Sequence, residues 1–562
     1  MKAPPRTGAD ALLDALSGAG CKHLFGLPGT TVAPLLDRLI AHPEIEYVLT
    51  KHESVAIAMA EGYARITGTP AFASVYMAVG LANAVSMLYN AHKSRVPLML
   101  LASQQDLALR LGTETVVDGD QLHLVQGIVR YAAEVVRADR LEEHFVRAYK
   151  QARGPLVPGP SFLSIPSDVL QEQTSTPPLV LDGFRVPAGV EAPAARWEEA
   201  AELLASAERP VIVAGSQVAS FDAVADLVAL AEAFQLPVSY EYFFNDRLSF
   251  PRQHPCCIGQ FRAQSPWLAE ADVVLALGCR LHHELNVPAQ PRLPASARVI
   301  QVNSEPEQLA LKHPVSLALL ADPASCARAL HSALLRRLGT EHRGRIDARR
   351  GALAEHARIT RASLDDRARL GWDSFPSTPW RVVRELDELV DGRARVVVEL
   401  SSNTNAFYEF SRLSRPDLVH ASSGCALGWG LAAAAGMKLA DPSLPVIACV
   451  GDGAFLFGVQ ALWTIANYDI PIVIVVFNNG GYYSTRLFTE RLGGLTAQTG
   501  SYAGGDMPDD PTDCCQIAAG FGVRGERVSD PNGFLPALRR ALEAQRPYVI
   551  DVPVAREFVA IV

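Results

Sequence analysis

The sequence predicts an α/β protein built from three doubly wound parallel sheets. Three observations predict it. The 562 residues are too many for one hydrophobic core. Continuous Val/Ile/Leu runs recur along the chain, the pattern of strands buried on both faces. Helical patterns alternate with those runs, so crossover units and not hairpins join them.

The first block, residues 1–180, offers "KHLFGLPG", "PAFASVY" and "VPLMLLAS" as strands. "VAPLLDRLIA" and "SVAIAMAEGYARI" read as its helices. The middle block, 190–345, gives the strands "RPVIVAGS", "LPVSYEY", "ADVVLALG" and "ARVIQVNSEP". The third, 375–562, gives "ARVVVEL", "LPVIACVGDG", "IPIVIVVFNNG" and "RPYVIDVPV". Two connectors are expected between the blocks. Residues 171–196 are rich in Pro, Gly and Thr without a sustained period. Residues 338–378 are charged and broken by Gly and Pro, with a helix expected inside them.

Hydrophobic residues make up 49% and charged residues 20%, an ordinary soluble composition. The net charge of −9 argues against a general nucleic-acid or anionic-membrane binder, which needs a basic face. The N-terminus has no apolar signal region, and "IPIVIVVF" is strand-length, far short of a membrane span. Nine cysteines with no C-x-x-C pair fit reduced thiols, so a cytoplasmic location is expected and a zinc site has no support.

Parallel sheets bind ligands at the carboxyl ends of their strands. There the third block places "GDGAF" (451–455), and "NNGG" (478–481) follows 24 residues after the GDG. The intervening residues read as one helix and one strand. A βαβ unit of that kind puts Asp452 and Asn479 at the ends of neighbouring strands. A carboxylate, an amide oxygen and a backbone carbonyl in a Gly-rich turn are hard oxygen ligands that suit Mg²⁺. The glycines allow close approach of a diphosphate, and a helix N-terminus would face it. Alone, each motif reads as a turn; the spacing joins them into a site. Glu53 opens the apolar run "SVAIAMA". It is either a solvated first-turn acid complementing the helix dipole or a buried carboxylate with a task, and the local residues leave both open.

The segment "SSGCALGWGLAAAAGMKLADPSLPVIACVGDGAF", the later "NNGGYYSTRLF" and the early "KHESVAIAMAEGYAR" together resemble the thiamine diphosphate-dependent enzymes of the 2-oxo acid decarboxylase and acetolactate synthase type. The benzoylformate decarboxylase pattern is the nearest. The resemblance runs through nearly the whole chain and implies, in order, a pyrimidine-binding domain, a Rossmann-like middle domain and a diphosphate-binding domain. It implies thiamine diphosphate with Mg²⁺ held by Asp452, Asn479 and the Gly481 carbonyl. It implies cofactor contacts from Ser401, Ser402, Gly451, Gly453, Ala454 and Tyr482. Leu427 would wedge beneath the cofactor, and the Cys425 carbonyl would accept from the pyrimidine amino group, where the family usually has Gly. Glu53 would press its carboxyl against the pyrimidine ring nitrogen, and low dielectric would make that hydrogen bond strong. Glu61 would be structural, pairing with an Arg. Active sites would form between subunits of a homodimer or homotetramer.

On the substrate side the resemblance implies a small 2-oxo acid, with or without a second carbonyl acceptor. The pattern's acid–base positions fall on Thr30, on Tyr76 and on His282 or His283. Tyr76 replaces an imidazole by a phenol that titrates near about 10, a poorer proton shuttle at neutral pH. A carboligase therefore competes with a decarboxylase. Tyr483 and Phe488 would line an apolar acyl pocket. The middle block lacks a G-x-G-x-x-G fingerprint, so FAD is left out. A non-catalytic binding subunit is a third reading, and Glu53, Asp452 and Asn479 together argue against it.

Overall fold

The computed structural model describes residues 6–110, 119–184, 186, 189–241, 247–262, 265–281, 293–337, 339–413, 415–505 and 512–556. They form three α/β domains, each around a six-stranded parallel sheet. The first sheet contains β1 His23–Gly26, β2 Glu46–Leu49, β3 Ala71–Val75, β4 Leu98–Gln104, β5 Ala132–Glu134 and β6 Pro160–Pro166. Their spatial order is β2-β1-β3-β4-β6-β5. The middle sheet contains β7 Pro210–Ala214, β8 Val238–Tyr240, β9 Cys257–Gln260, β10 Val273–Leu277, β11 Arg298–Asn303 and β12 Leu317–Leu320, in the order β12-β11-β10-β7-β8-β9. The third contains β13 Arg395–Glu399, β14 Val419–Ala421, β15 Val446–Gly451, β16 Ile472–Asn478, β17 Arg524–Arg527 and β18 Tyr548–Pro553, in the order β14-β13-β15-β16-β18-β17. The central strands are buried along their whole length, as sheets covered on both faces require.

The expected fold class is the observed one, but the count of strands is corrected. Seven strands have no counterpart among the apolar runs. Six of them, β2, β5, β9, β12, β14 and β17, are the sheet edges. Edge strands are short, and five of the six are partly exposed; β14 is buried but only three residues long with His420 at its centre, so none carries a long apolar run. The seventh, β6, is interrupted by Ser and Pro in "PSFLSIP". The charged connector is a single helix, Thr340–Arg369, of 30 residues. Its glycines at 344 and 351 do not break it, because a lone helical glycine costs only about 1 kcal/mol. The crossover after GDG is also corrected. It holds two short helices, Asp452–Phe457 and Ala461–Asn467, parted at Gly458, whose backbone lies against Gly428.

Where the chain leaves a parallel sheet in opposite directions from two adjacent strands, a crevice opens at their carboxyl ends. In the first sheet that point lies between β1 and β3, and in the third between β13 and β15.

These two domains meet through a helix pair. Helix Glu53–Thr67 is Ala-rich, apolar nearly all round and capped by Gly68 at φ 66°. Helix Trp429–Ala440 has the same character. Their small residues bring the backbones into contact. A Cβ on Gly62 would lie 2.1 Å from the Ala433 carbonyl oxygen, and one on Gly436 would lie 1.9 Å from that of Met59. The pairs 59/436, 62/433 and 65/429 make the helices antiparallel. A second tie runs from β2: the Leu49 N–H donates to the Tyr468 hydroxyl, which donates to the Tyr47 carbonyl. Among the described residues no helix is long and apolar enough to cross a membrane.

Gly436→Ala is expected to destabilise the protein by about 1–3 kcal/mol through overpacking of this helix contact. The denaturation midpoint measures it, and an unchanged midpoint would show that the helices can part without cost.

Candidate active site

Two clusters sit at the two switch points. In the first, each element that follows a strand contributes one residue. Thr30 follows β1 and is exposed, Glu53 follows β2, and Tyr76 follows β3. The Tyr76 ring packs flat against Gly29, leaving no room for a side chain there, and so stands beside Thr30. Glu53 is the first residue of its helix, yet it is only 6% exposed. Its carboxylate accepts from Asn83 Nδ2 at 3.1 Å and fills the space a Cβ on Gly80 would need. Of the two readings left open by the local residues, the buried carboxylate is the one observed. Glu61 is the structural acid that was expected. It pairs with Arg65 at 2.7 Å, both side chains being fully buried, and it accepts the Trp429 indole N–H.

The second cluster lies across the ends of β13, β15 and β16. The chain at the end of β13 turns through Ser401 and Ser402, the first exposed and the second buried. Asp452 follows β15 and Asn479 follows β16, and these strands pair in parallel. Asn479 Nδ2 donates to Ser402 Oγ at 3.1 Å, and the Gly481 N–H donates to Asp452 Oδ2 at 3.2 Å. Burial raises the Asp452 carboxyl above the ordinary carboxylate range, against the opposing backbone N–H groups of Gly453 and Gly481. Asn479 Oδ1 is buried and has no hydrogen-bond partner. A buried carbonyl oxygen without a donor is costly, and this one and the Asp452 carboxylate, at the ends of paired strands, are both oxygen donors of the kind that suits a hard cation. The carbonyls of Asn479 and Gly480 are taken by Arg556, at 2.9 and 3.1 Å.

Gly451, Gly453 and Ala454 lie in the same strand-to-helix turn as Asp452, and the Tyr482 ring covers Gly453. Leu427 is half-buried on the turn that precedes helix Trp429–Ala440. Cys425 opens that turn at φ 59°, the left-handed conformation that favours the glycine usual in the resembling family. Tyr483 and Phe488 lie on helix Tyr483–Arg491 beyond the cluster, where no residue is fully buried. His282 and His283 lie outside the described residues.

The chain does not bring the two clusters together. Glu53 stands at one end of the helix pair, and Arg65, twelve residues or about 18 Å further along the helix, packs over Trp429 at the other. On helix Met77–Lys93, Gly80 and Asn83 touch Glu53, whereas Asn90, about 10 Å further on, clamps both the N–H and the carbonyl of Ala426.

Sequence reasoning missed Asn83, Asn90, Arg556 and Glu399. The first three carry no local signal. Glu399 does, since it closes the apolar strand "RVVVE" just ahead of Ser401. A cavity of about 1440 Å³ opens at the carboxyl ends of the middle sheet, beside Ser216, Gln217, Gly278 and Asn303. It shares no residue with either cluster.

Three family models match the chain in order. They describe the N-terminal TPP binding domain of a thiamine pyrophosphate enzyme (residues 6–124), its central domain (197–330) and its C-terminal TPP binding domain (401–552). Benzoylformate decarboxylase from Pseudomonas aeruginosa is 30% identical, over 98% of this chain and 99% of its own. A probable acetolactate synthase large subunit from Methanocaldococcus jannaschii is 27% identical, over 97% of this chain and 91% of its own. Among solved structures, the thiamine diphosphate-dependent 4-hydroxybenzoylformate decarboxylase of Rhodococcus jostii RHA1 superposes with a TM-score of 0.83 at 27% identity, over 98% of this chain and 99% of that one.

Arg65→Ala would leave the Glu61 carboxylate buried and unbalanced, at an expected cost of about 3–5 kcal/mol. Equilibrium unfolding should show that loss. The Glu61→Gln, Arg65→Met double variant should lose less, and equal losses would contradict the ion-pair account.

Proposed function

The chain belongs to the thiamine pyrophosphate enzyme family, as a decarboxylase or carboligase; from that premise we infer that it holds thiamine diphosphate through Mg²⁺ and cleaves the bond between the carbonyl and carboxylate of a 2-oxo acid bearing an apolar acyl group. The observation that carries the reading is the unpartnered, buried Asn479 Oδ1 at the end of the strand that pairs with the one leading to Asp452. With the Gly481 carbonyl, these two oxygens make a ligand set for Mg²⁺, whose remaining positions suit diphosphate oxygens. Ser401, Ser402 and the backbone of Gly451–Ala454 complete the cradle, with Tyr482 over Gly453.

The chemistry supplied by bound thiamine diphosphate is an electron sink for the pair released with CO₂. Glu53 would set its buried carboxyl against the pyrimidine nitrogen, where burial would strengthen that hydrogen bond. Leu427 would lie beneath the cofactor, and the Cys425 carbonyl would accept from its pyrimidine amino group. Thr30 and Tyr76 offer hydroxyls on the substrate side, where His282 and His283 would add imidazoles. Tyr483 and Phe488 favour an apolar acyl group at the mouth.

Because Glu53 and the cradle stand at opposite ends of the helix pair, a complete site needs a second copy of the chain. Exposed apolar residues flank both halves: Val79, 52% exposed, precedes Gly80, and Phe457, 56% exposed, ends the Asp452 helix. A homodimer, doubled to a tetramer or not, covers these faces in the cytoplasm.

The second reading, a carboligase that joins the acyl group to another carbonyl, is favoured by Tyr76. A phenol, not an imidazole, occupies the crevice beside Thr30, and it delivers a proton poorly near neutral pH.

Asp452→Ala is expected to abolish Mg²⁺-dependent binding of thiamine diphosphate in calorimetry, and retained binding would refute the metal assignment. Glu53→Gln should lower turnover roughly 10²–10⁴-fold while cofactor affinity stays near that of the parent. Incubation with pyruvate, phenylpyruvate and benzoylformate, with and without an aldehyde acceptor, separates the two reactions. Free aldehyde as the main product excludes the carboligase, and coupled hydroxyketone excludes simple decarboxylation.

A further inference from the structure

Glu399 has no part in the reading above, yet its position joins the two halves of the cofactor cradle. It ends β13 and is followed by Leu400, Ser401 and Ser402. Its Oε1 accepts the backbone N–H groups of Gly428 at 2.9 Å and Trp429 at 3.1 Å. Its Oε2 accepts that of Gly430 at 2.8 Å. These are orphan donors at the start of helix Trp429–Ala440. The turn just before them carries Leu427. We propose that Glu399 is a positioning residue, fixing the Leu427 turn relative to Ser401 and Ser402 so that the wedge and the diphosphate contacts keep one spacing. This rests on the cofactor reading above. The other side of the turn is held by Asn90, through both polar groups of Ala426.

The carboxylate form has a role that its neutral form cannot fill. Ionised, both oxygens accept. Protonated, one oxygen becomes a donor and faces an N–H. Burial pushes the Glu399 carboxyl up to about 7, and the charge of Glu61, itself paired with Arg65 on helix Glu53–Thr67, adds to the rise. The sign for stability follows. A carboxyl with a raised folded-state pKa favours the fold when protonated, and that contribution is lost as pH rises through about 7. Ionised Glu399 is therefore retained against the interest of stability, as expected of a group kept for positioning. Cofactor affinity should run the other way, rising as pH passes about 7 and all three N–H groups gain their acceptor.

Glu399→Gln separates the two trends. Its carbonyl can take the Gly428 and Trp429 N–H groups, but its amide opposes the Gly430 N–H. Calorimetric titration of the full-length protein with thiamine diphosphate and Mg²⁺ is expected to show the variant binding roughly tenfold more weakly than the parent at pH 8. Its affinity should be nearly flat from about pH 6 to 8, where that of the parent rises. Its thermal midpoint without cofactor at pH 8 should equal or exceed that of the parent. A merely structural role would lower midpoint and affinity together, and that outcome overturns the proposal. So does a variant with the affinity and pH course of the parent. If the variant does not fold, the parent alone decides, because a flat affinity across this pH range refutes the role. A parent that binds no thiamine diphosphate at any of these pH values fails the cofactor reading instead.

Discussion

Trp429 is the joint on which the arrangement turns. Its indole N–H goes to Glu61 on the helix of the first sheet, and its backbone N–H goes to Glu399 at the end of β13. The Arg65 guanidinium lies over its ring at 4.9 Å. One fully buried side chain thus fixes the register of two domains. The helix contact around it admits little sliding. Gly62 and Gly436 each stand where a Cβ would strike the backbone of the opposite helix, and their neighbours along each helix carry side chains. A shift of one residue would drive a methyl group into a carbonyl, so the register is set by sterics as well as by the buried ion pair.

That fixed register determines where chemistry can occur. The antiparallel helices carry the Glu53 crevice to one end and the Asp452 crevice to the other. Each switch point then carries its own set of groups: one has Glu53 with the hydroxyls of Thr30 and Tyr76, the other Asp452 and Asn479 with Ser401 and Ser402. The middle sheet has its own crevice and a large cavity, but no residue from either cluster reaches it. Exposed apolar residues stand at both switch points: Val79 precedes Gly80, which packs on Glu53, and Phe457 ends the helix that Asp452 begins.

The sequence revealed the interior of this protein better than its borders. Apolar runs disclosed the central strands because those strands are buried on both faces. The six edge strands stayed hidden because they are three or four residues long and, β14 apart, partly exposed. The same physics governs the site. Asp452 and Asn479 were legible because glycines mark strand ends and the crossover fixes their spacing. Glu53 was legible as a candidate because an acid at the head of an apolar run is anomalous. Glu399 is the same anomaly at the tail of a run, and it went unread because no motif drew attention to it. Asn83, Asn90 and Arg556 act through contacts made only in three dimensions. Asn90 meets Ala426 across 336 positions of chain, and no local pattern encodes such a meeting.

Among the described non-glycine residues at positive φ, three stand at the turns of the two clusters. Met77, Ser401 and Cys425 all hold positive φ, at 47°, 45° and 59°. Each costs on the order of 1–3 kcal/mol in a non-glycine residue. Met77 directly follows Tyr76, Ser401 opens the β13 turn, and Cys425 opens the Leu427 turn. They persist because packing on either side over-determines them: Gly29 under Tyr76, Ser402 tied to Asn479, and Asn90 clamping Ala426. Asn90 and Glu399 hold the backbone on either side of Leu427, the one through Ala426 and the other through Gly428 and Trp429.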